Sequence, residues 1–149
     1  MENDPAAIIK EDHRKVEALF KEYEGLGDRA HVTKREIADQ VIKELTVHAE
    51  MEEQLCYPRF KDAFVKEDDK MVDEAYVEHQ GAKMLLEKLK VLQPEDEEFG
   101  ASMMVLMEQI RHHVKEEENE LLPAVEKKVA PQTLEEMAAE MLEFKEARA

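Results

Sequence analysis

A chain of 149 residues holds one domain and is marginal for two. Its 43% hydrophobic and 39% charged residues, with only 4 Gly and 5 Pro, suit a helical domain with a modest core and exclude a disordered chain or a many-turned β sandwich. Basic residues number 21 against 37 acidic ones, a net charge of −16, which repels nucleic acid and anionic membrane surfaces and makes cations the natural small partners.

The single cysteine rules out an internal disulfide framework and fits a reducing, cytoplasmic compartment. The opening segment does not read as a signal peptide, and no apolar run approaches the roughly 18 residues of a membrane span.

The first helical pattern opens with Asn3 or Asp4 as N-cap and Pro5 in the first turn. Ile9, His13, Val16 and Phe20 recur along one face, and Gly25 and Gly27 end it. The second opens on a capping box, Thr33 with Glu36. Its stripe runs Ile37, Val41, Leu45, His48, Glu52 and Leu55, and Pro58 ends or kinks it. After a solvated connection over Lys66 to Lys70, a third helix starts near Asp69. It carries Val72, Ala75, His79, Ala82, Leu86 and Leu89 and stops before Pro94.

The fourth pattern carries Phe99, Met103, Leu106, Ile110, His113, Glu117 and Leu121 and reaches Pro123. A second capping box, Thr133 with Glu136, opens a C-terminal helix that caps the bundle or mediates dimerisation. No stretch alternates with a strand's period of two. The short connections favour an all-α, up-down-up-down four-helix bundle over residues 1–128, with a short additional helix over 129–149.

The second and fourth helices match at an offset of 65 (113 − 48), which places His48 on His113, Glu52 on Glu117, Glu53 on Glu118 and Pro58 on Pro123. The first and third match at an offset of 66 (79 − 13), which places Asp12-His13 on Glu78-His79. The chain therefore reads as two helical hairpins of one design. Each supplies one His from its first helix and a His-x-x-x-Glu from its second.

Residues four apart share a helical face, about 6 Å apart along the axis. Two hairpins thus bring four imidazoles and two carboxylates to the bundle interior, a donor set without thiolate that suits iron or manganese. His112 competes with His113, but it lies about 100° around the helix from the stripe, and the repeat register selects His113.

The pattern His13 … His48-x-x-x-Glu52 … His79 … His113-x-x-x-Glu117, with Glu-Glu-Gln-Leu-Cys-Tyr-Pro and Glu-Glu-Asn-Glu-Leu-Leu-Pro following the ligand positions, resembles the hemerythrin-like, or HHE cation-binding, domain family over about residues 5 to 128. The resemblance implies a non-haem di-iron centre with an oxo or hydroxo bridge. His13 and His48 would hold one iron, His79 and His113 the other, and Glu52 and Glu117 would bridge them.

Oxygen-carrying members have a fifth imidazole four residues beyond the third helix's first His, where this chain has Lys83. The vacancy is open to water, Tyr76 or Glu17, and Lys83 and Glu17 are expected to pair across the site. The implied function is reaction with, or sensing of, O2, peroxide or nitric oxide, including catalase-like peroxide decomposition. The alternative is an iron or oxygen sensor or store without turnover, a monomer or homodimer acting through a protein partner.

Overall fold

The computed structural model describes residues 4–64 and 69–149. Asn3 and the Lys66 part of the expected connection lie outside them. Helix α1 (Pro5–Glu24) is capped by Asp4, whose carboxylate accepts from the Ala6 N–H at 2.8 Å. Helix α2 (His31–Met51) passes into a π-helical turn, π1 (Glu52–Cys56), and on into α3 (Tyr57–Ala63). Helix α4 (Asp69–Val91) follows. Then α5 (Glu97–Glu116), a second π turn, π2 (Glu117–Leu121), and α6 (Leu122–Lys128) repeat the design of the second rod. Helix α7 (Pro131–Ala147) completes the chain.

Four rods form the up-down-up-down bundle, and α7 packs as an additional helix on α1, α2 and π1. No strand occurs among the described residues. None of their helices is long and apolar enough to cross a membrane.

Neither capping box is used. Helix α2 begins at His31, where the Ala30 carbonyl takes the Lys34 N–H at 2.9 Å, so Thr33 already lies inside the first turn. Helix α7 begins at Pro131, whose fixed φ and missing N–H suit the first helical position better than Thr133 two residues later. The prolines expected to end or kink the second and fourth helices do neither cleanly. Each sits in the first turn of a continuing helix, just past a π turn.

The π turns show how a proline is accommodated. The Tyr57 N–H reaches back to the Glu52 carbonyl, and the Leu122 N–H to that of Glu117. That longer ring moves the backbone away from the proline ring that would otherwise strike it. Pro58 has no N–H to offer the Glu53 carbonyl, which takes the Tyr76 hydroxyl instead, at 3.4 Å.

The core is divided. One apolar cluster, built on Ile9, Met51, Phe60, Leu122, Met137 and Met141, lies towards α7. The other, built on Phe20, Val41, Leu86, Leu89, Phe99 and Leu106, fills the opposite end. Between them the stripes of the four rods carry His13, His48, Glu52, His79, His113 and Glu117, all buried. The periodicity that forms the helices thus also places a polar layer across the middle of an apolar bundle.

Candidate metal centre

Each hairpin delivers its groups by the same local geometry. His48 and Glu52 sit one turn apart at the junction of α2 and π1, with Nε2 3.1 Å from Oε1. His113 and Glu117 repeat this at the junction of α5 and π2, 3.5 Å apart. The carboxylates also cross to the other hairpin. Glu52 Oε1 is 3.2 Å from His79 Nε2, and Glu117 Oε1 is 3.0 Å from His13 Nε2. Each glutamate therefore touches one imidazole of the His13/His48 pair and one of the His79/His113 pair. The rings of each pair have centroids 5.2 and 5.0 Å apart.

Behind the four imidazoles stand four carboxylates. Asp12 accepts from His48 Nδ1 at 2.7 Å, and Glu78 faces His113 Nδ1 at 2.6 Å. Glu53 reaches His79 Nδ1 at 2.9 Å, and Glu118 reaches His13 Nδ1 at 2.6 Å. The first two act within their own hairpin, and the last two across to the other. A carboxylate on Nδ1 fixes the ring and turns Nε2 towards the centre, the usual support of a metal-binding imidazole.

The inner atoms test whether a cation fits. His13 Nε2, His48 Nε2, His113 Nε2, Glu52 Oε2 and Glu117 Oε1 are buried and make no aligned hydrogen bond, the three imidazole nitrogens meeting the glutamates only in ion-pair contacts of 3.0–3.5 Å. An unpaired buried polar atom costs about 1–3 kcal/mol, so several in one layer need a common partner. Their donor atoms gather in two sets, His13 with His48 and Glu117, and Glu52 with His79 and His113, each spanning less than 4.8 Å. Nitrogen and carboxylate oxygen without sulfur is the donor chemistry of iron or manganese. The Cys56 thiol lies outside the set, 3.6 Å from the Met141 sulfur, and burial pushes its pKa well up.

Protons occupy this layer in the metal-free chain. Burial alone would lower the His113 pKa, but its contacts with Glu117 and Glu78 outweigh it and lift it from 6.5 to about 10. Burial opposes protonation of His48 too, yet the charge of Glu52 and the Asp12 hydrogen bond hold its pKa well above the ordinary value. Burial would raise Glu117, and its contacts with His113 and His13 instead hold it well below the usual carboxylate range. Cationic imidazoles thus stand where positive metal charge fits.

The sequence reading omitted Tyr57. Its fully buried hydroxyl donates to Glu117 Oε2 at 2.7 Å, lies 3.2 Å from Glu52 Oε1 and is 3.2 Å from His79 Nε2. It links both hairpins at the layer. Burial, then the charges of Glu117 and Glu52, pushes its pKa well above the ordinary value, so the phenol keeps its proton.

Two candidates for the vacancy and one expected ion pair are corrected. Tyr76 stands behind Tyr57, ring edge against ring at 5.2 Å, and its hydroxyl goes to the Glu53 backbone rather than to the centre. Glu17 is tied to Arg111 by two bonds of 2.8 Å. The expected Lys83–Glu17 pair is absent, and Lys83 instead binds Glu53 at 2.8 Å. His112 faces solvent and pairs with Glu116 at 2.8 Å, while His113 lies in the layer.

Comparisons with known proteins give the family and the fold. The sequence profile of the Hemerythrin HHE cation binding domain matches residues 4–125. The chain belongs to the hemerythrin HHE cation-binding domain family. This HHE domain is 29% identical over 133 residues to an uncharacterized hemerythrin-like protein of Schizosaccharomyces pombe, covering 89% of the chain and 64% of the relative. It is 35% identical over 141 residues to a protein of Nostoc named DNA nickase, covering 95% of the chain but 38% of that protein. The chain thus covers less than two thirds of the length of either relative, and the name DNA nickase belongs to the longer Nostoc protein. The crystal structure of an HHE domain-containing protein of Mycobacterium kansasii superposes with a TM-score of 0.80 at 22% identity, over 97% of this chain and 87% of the other. That likeness supports the fold.

Proposed function

We propose that this HHE domain holds two iron ions, one against His13 and His48, the other against His79 and His113, with Glu52 and Glu117 shared between them. We infer further that it reacts with or senses O2, peroxide or nitric oxide there. The observation that supports this reading is the convergence of partnerless Nε2 and carboxylate atoms in one buried layer, each glutamate reaching both histidine pairs. A pair of irons so held supplies Lewis acidity and exchangeable electrons to a small oxygen or nitrogen molecule.

The residues of the chain do the rest. Asp12, Glu53, Glu78 and Glu118 orient the imidazoles through Nδ1. The Tyr57 hydroxyl holds a proton within 3.2 Å of both shared carboxylates, next to where a small ligand would sit. The apolar cluster towards α7 limits water on that side of the layer. Lys83, in place of a fifth imidazole, turns away to Glu53, which favours an exchangeable position and peroxide turnover over reversible oxygen carriage. The net charge of −16 argues against a nucleic-acid substrate for this domain by itself.

The test is optical. Anaerobically reduced, iron-loaded protein is exposed to air and then to hydrogen peroxide. The proposal expects a stable oxidised spectrum without a long-lived oxygenated state, followed by decomposition of added peroxide. Repeated binding and release of O2 without oxidation would return the carrier reading, and an inert spectrum would leave storage or a structural role.

A further inference from the structure

The polar layer is not closed on both sides. On the α7 side Tyr57 covers it, packed into the apolar cluster there. On the other side lies a chamber of about 390 Å³ that has all four imidazoles, His13, His48, His79 and His113, in its lining. Its walls are Leu45, Ala49, Ala82, Leu86, Ile110 and Val114.

The volume decides what it is for. At roughly 30 Å³ of liquid volume per water, the chamber has room for on the order of ten waters, whereas O2 or hydrogen peroxide needs the space of one or two. Walls of leucine, isoleucine, valine and alanine give those waters few partners, so an apolar body displaces them favourably. Both size and lining are those of a pocket for an organic ligand. Its charges say that the ligand is neutral. At the rim Lys83 is paired with Glu53 at 2.8 Å, Lys90 with Glu87 at 2.7 Å and Glu50 with Arg148 at 3.8 Å, so neither sign is left over to recruit an ion. At the floor the partnerless imidazole nitrogens belong to a centre whose donor set favours oxygen ligands.

We propose that this chamber binds a neutral organic molecule with a branched or monocyclic apolar body and one oxygen head, the class of the alkyl and aryl hydroperoxides and their alcohols, with the head against the four imidazoles. The seating of the head rests on the reading of the layer as a metal centre. The seating of the body rests only on the walls. The two therefore fail separately.

The probe is 2-phenyl-2-propanol, titrated into metal-free and iron-loaded protein and followed by amide chemical shifts. Saturable binding is expected in both forms, with the shifts centred on Ala49, Ala82 and Val114. In the metal-free protein cumene hydroperoxide displaces the alcohol and hydrogen peroxide at equal concentration does not. Ala49→Phe and Val114→Phe fill the chamber from two different helices at partly exposed positions. Each is expected to keep its helical content and iron content and to weaken the probe by about tenfold or more, a loss of about 1.4 kcal/mol. Absence of saturable binding in either form, or affinity unchanged from the unaltered protein in both filled variants, overturns the proposal. A protein that binds the probe but takes up no iron keeps the chamber and sinks the metal centre. One that takes up iron and ignores the probe does the reverse.

Discussion

At the scale of single residues, the duplicated register carried most of the information. His13 and His79, and the two His-x-x-x-Glu turns, were legible because each had a partner in the other hairpin and each sat on an apolar stripe. The same register paired Asp12 with Glu78 and Glu53 with Glu118, yet spacing alone assigned those carboxylates no task. It took the fold to show that Glu53 and Glu118 cross to the opposite hairpin's imidazole. Tyr57 was illegible for the opposite reason. Its counterpart 65 positions on is Leu122, so a search for repeated features passes over it.

Two substitutions test these roles. His113→Ala should remove at least one of the two irons, whereas His112→Ala should leave both within error, since His112 is two-thirds exposed and faces Glu116. Metal analysis of the two purified variants checks this, and equal loss in both would mean that the helix face is wrongly assigned. Tyr57→Phe keeps the ring but removes the donor shared by Glu52 and Glu117. Calorimetry of the metal-free variant should show a loss of about 1–3 kcal/mol, the cost of stranding buried acceptors. An unchanged melting temperature would show that water takes the hydroxyl's place.

At the scale of elements, helix existence and the buried stripes followed from period 3.6, and the stripe read for the third helix is its buried face, residue for residue. The π turns did not follow. Pro58 and Pro123 read as stops because a proline inside an α-helix loses one bond and strikes the preceding turn. A π turn relieves that clash with one longer ring, and nothing local in Glu-Glu-Gln-Leu-Cys announces it. The register at α2 and α7 slipped for a simpler reason, since Thr-x-x-Glu also occurs one turn inside helices that start earlier.

Helix α7 has a role that its sequence did not disclose. Lys145 on its last turns pairs with the buried Asp12 carboxylate, which holds His48. Burial would raise the Asp12 pKa, and the contacts with His48 and Lys145 together bring it below the ordinary value. Lys145→Met should therefore cost about 1–3 kcal/mol, as expected for a hydrogen bond to a charged group, and should slow or weaken iron retention. Thermal melts with and without iron, followed by timed transfer to a chelator, measure both effects. A variant indistinguishable in both would show that α7 only covers the core.

At the scale of the whole molecule, the layer stores positive charge in an acidic protein, and that couples stability, pH and metal. In the metal-free chain the His113 pKa stands at about 10 against an ordinary 6.5. A raised pKa means that the folded form binds the proton more tightly, so this contribution is complete below 6.5 and is lost as pH rises through about 10. Melting temperatures of metal-free protein should therefore fall across that window, and the slope should flatten in His113→Asn. Iron must displace the same protons, so uptake releases acid and tightens as pH rises. A metal-free protein that gains stability over that window would contradict the electrostatic account of the layer.

The central claim is that two hairpins of one design meet to hold two metals. The most direct measurement is elemental analysis of protein purified from iron-replete cells, referred to chain concentration from amino-acid analysis. The account predicts close to two irons per chain, falling to about one or fewer in His113→Ala. A reproducible value near zero, or a single zinc per chain, would contradict it.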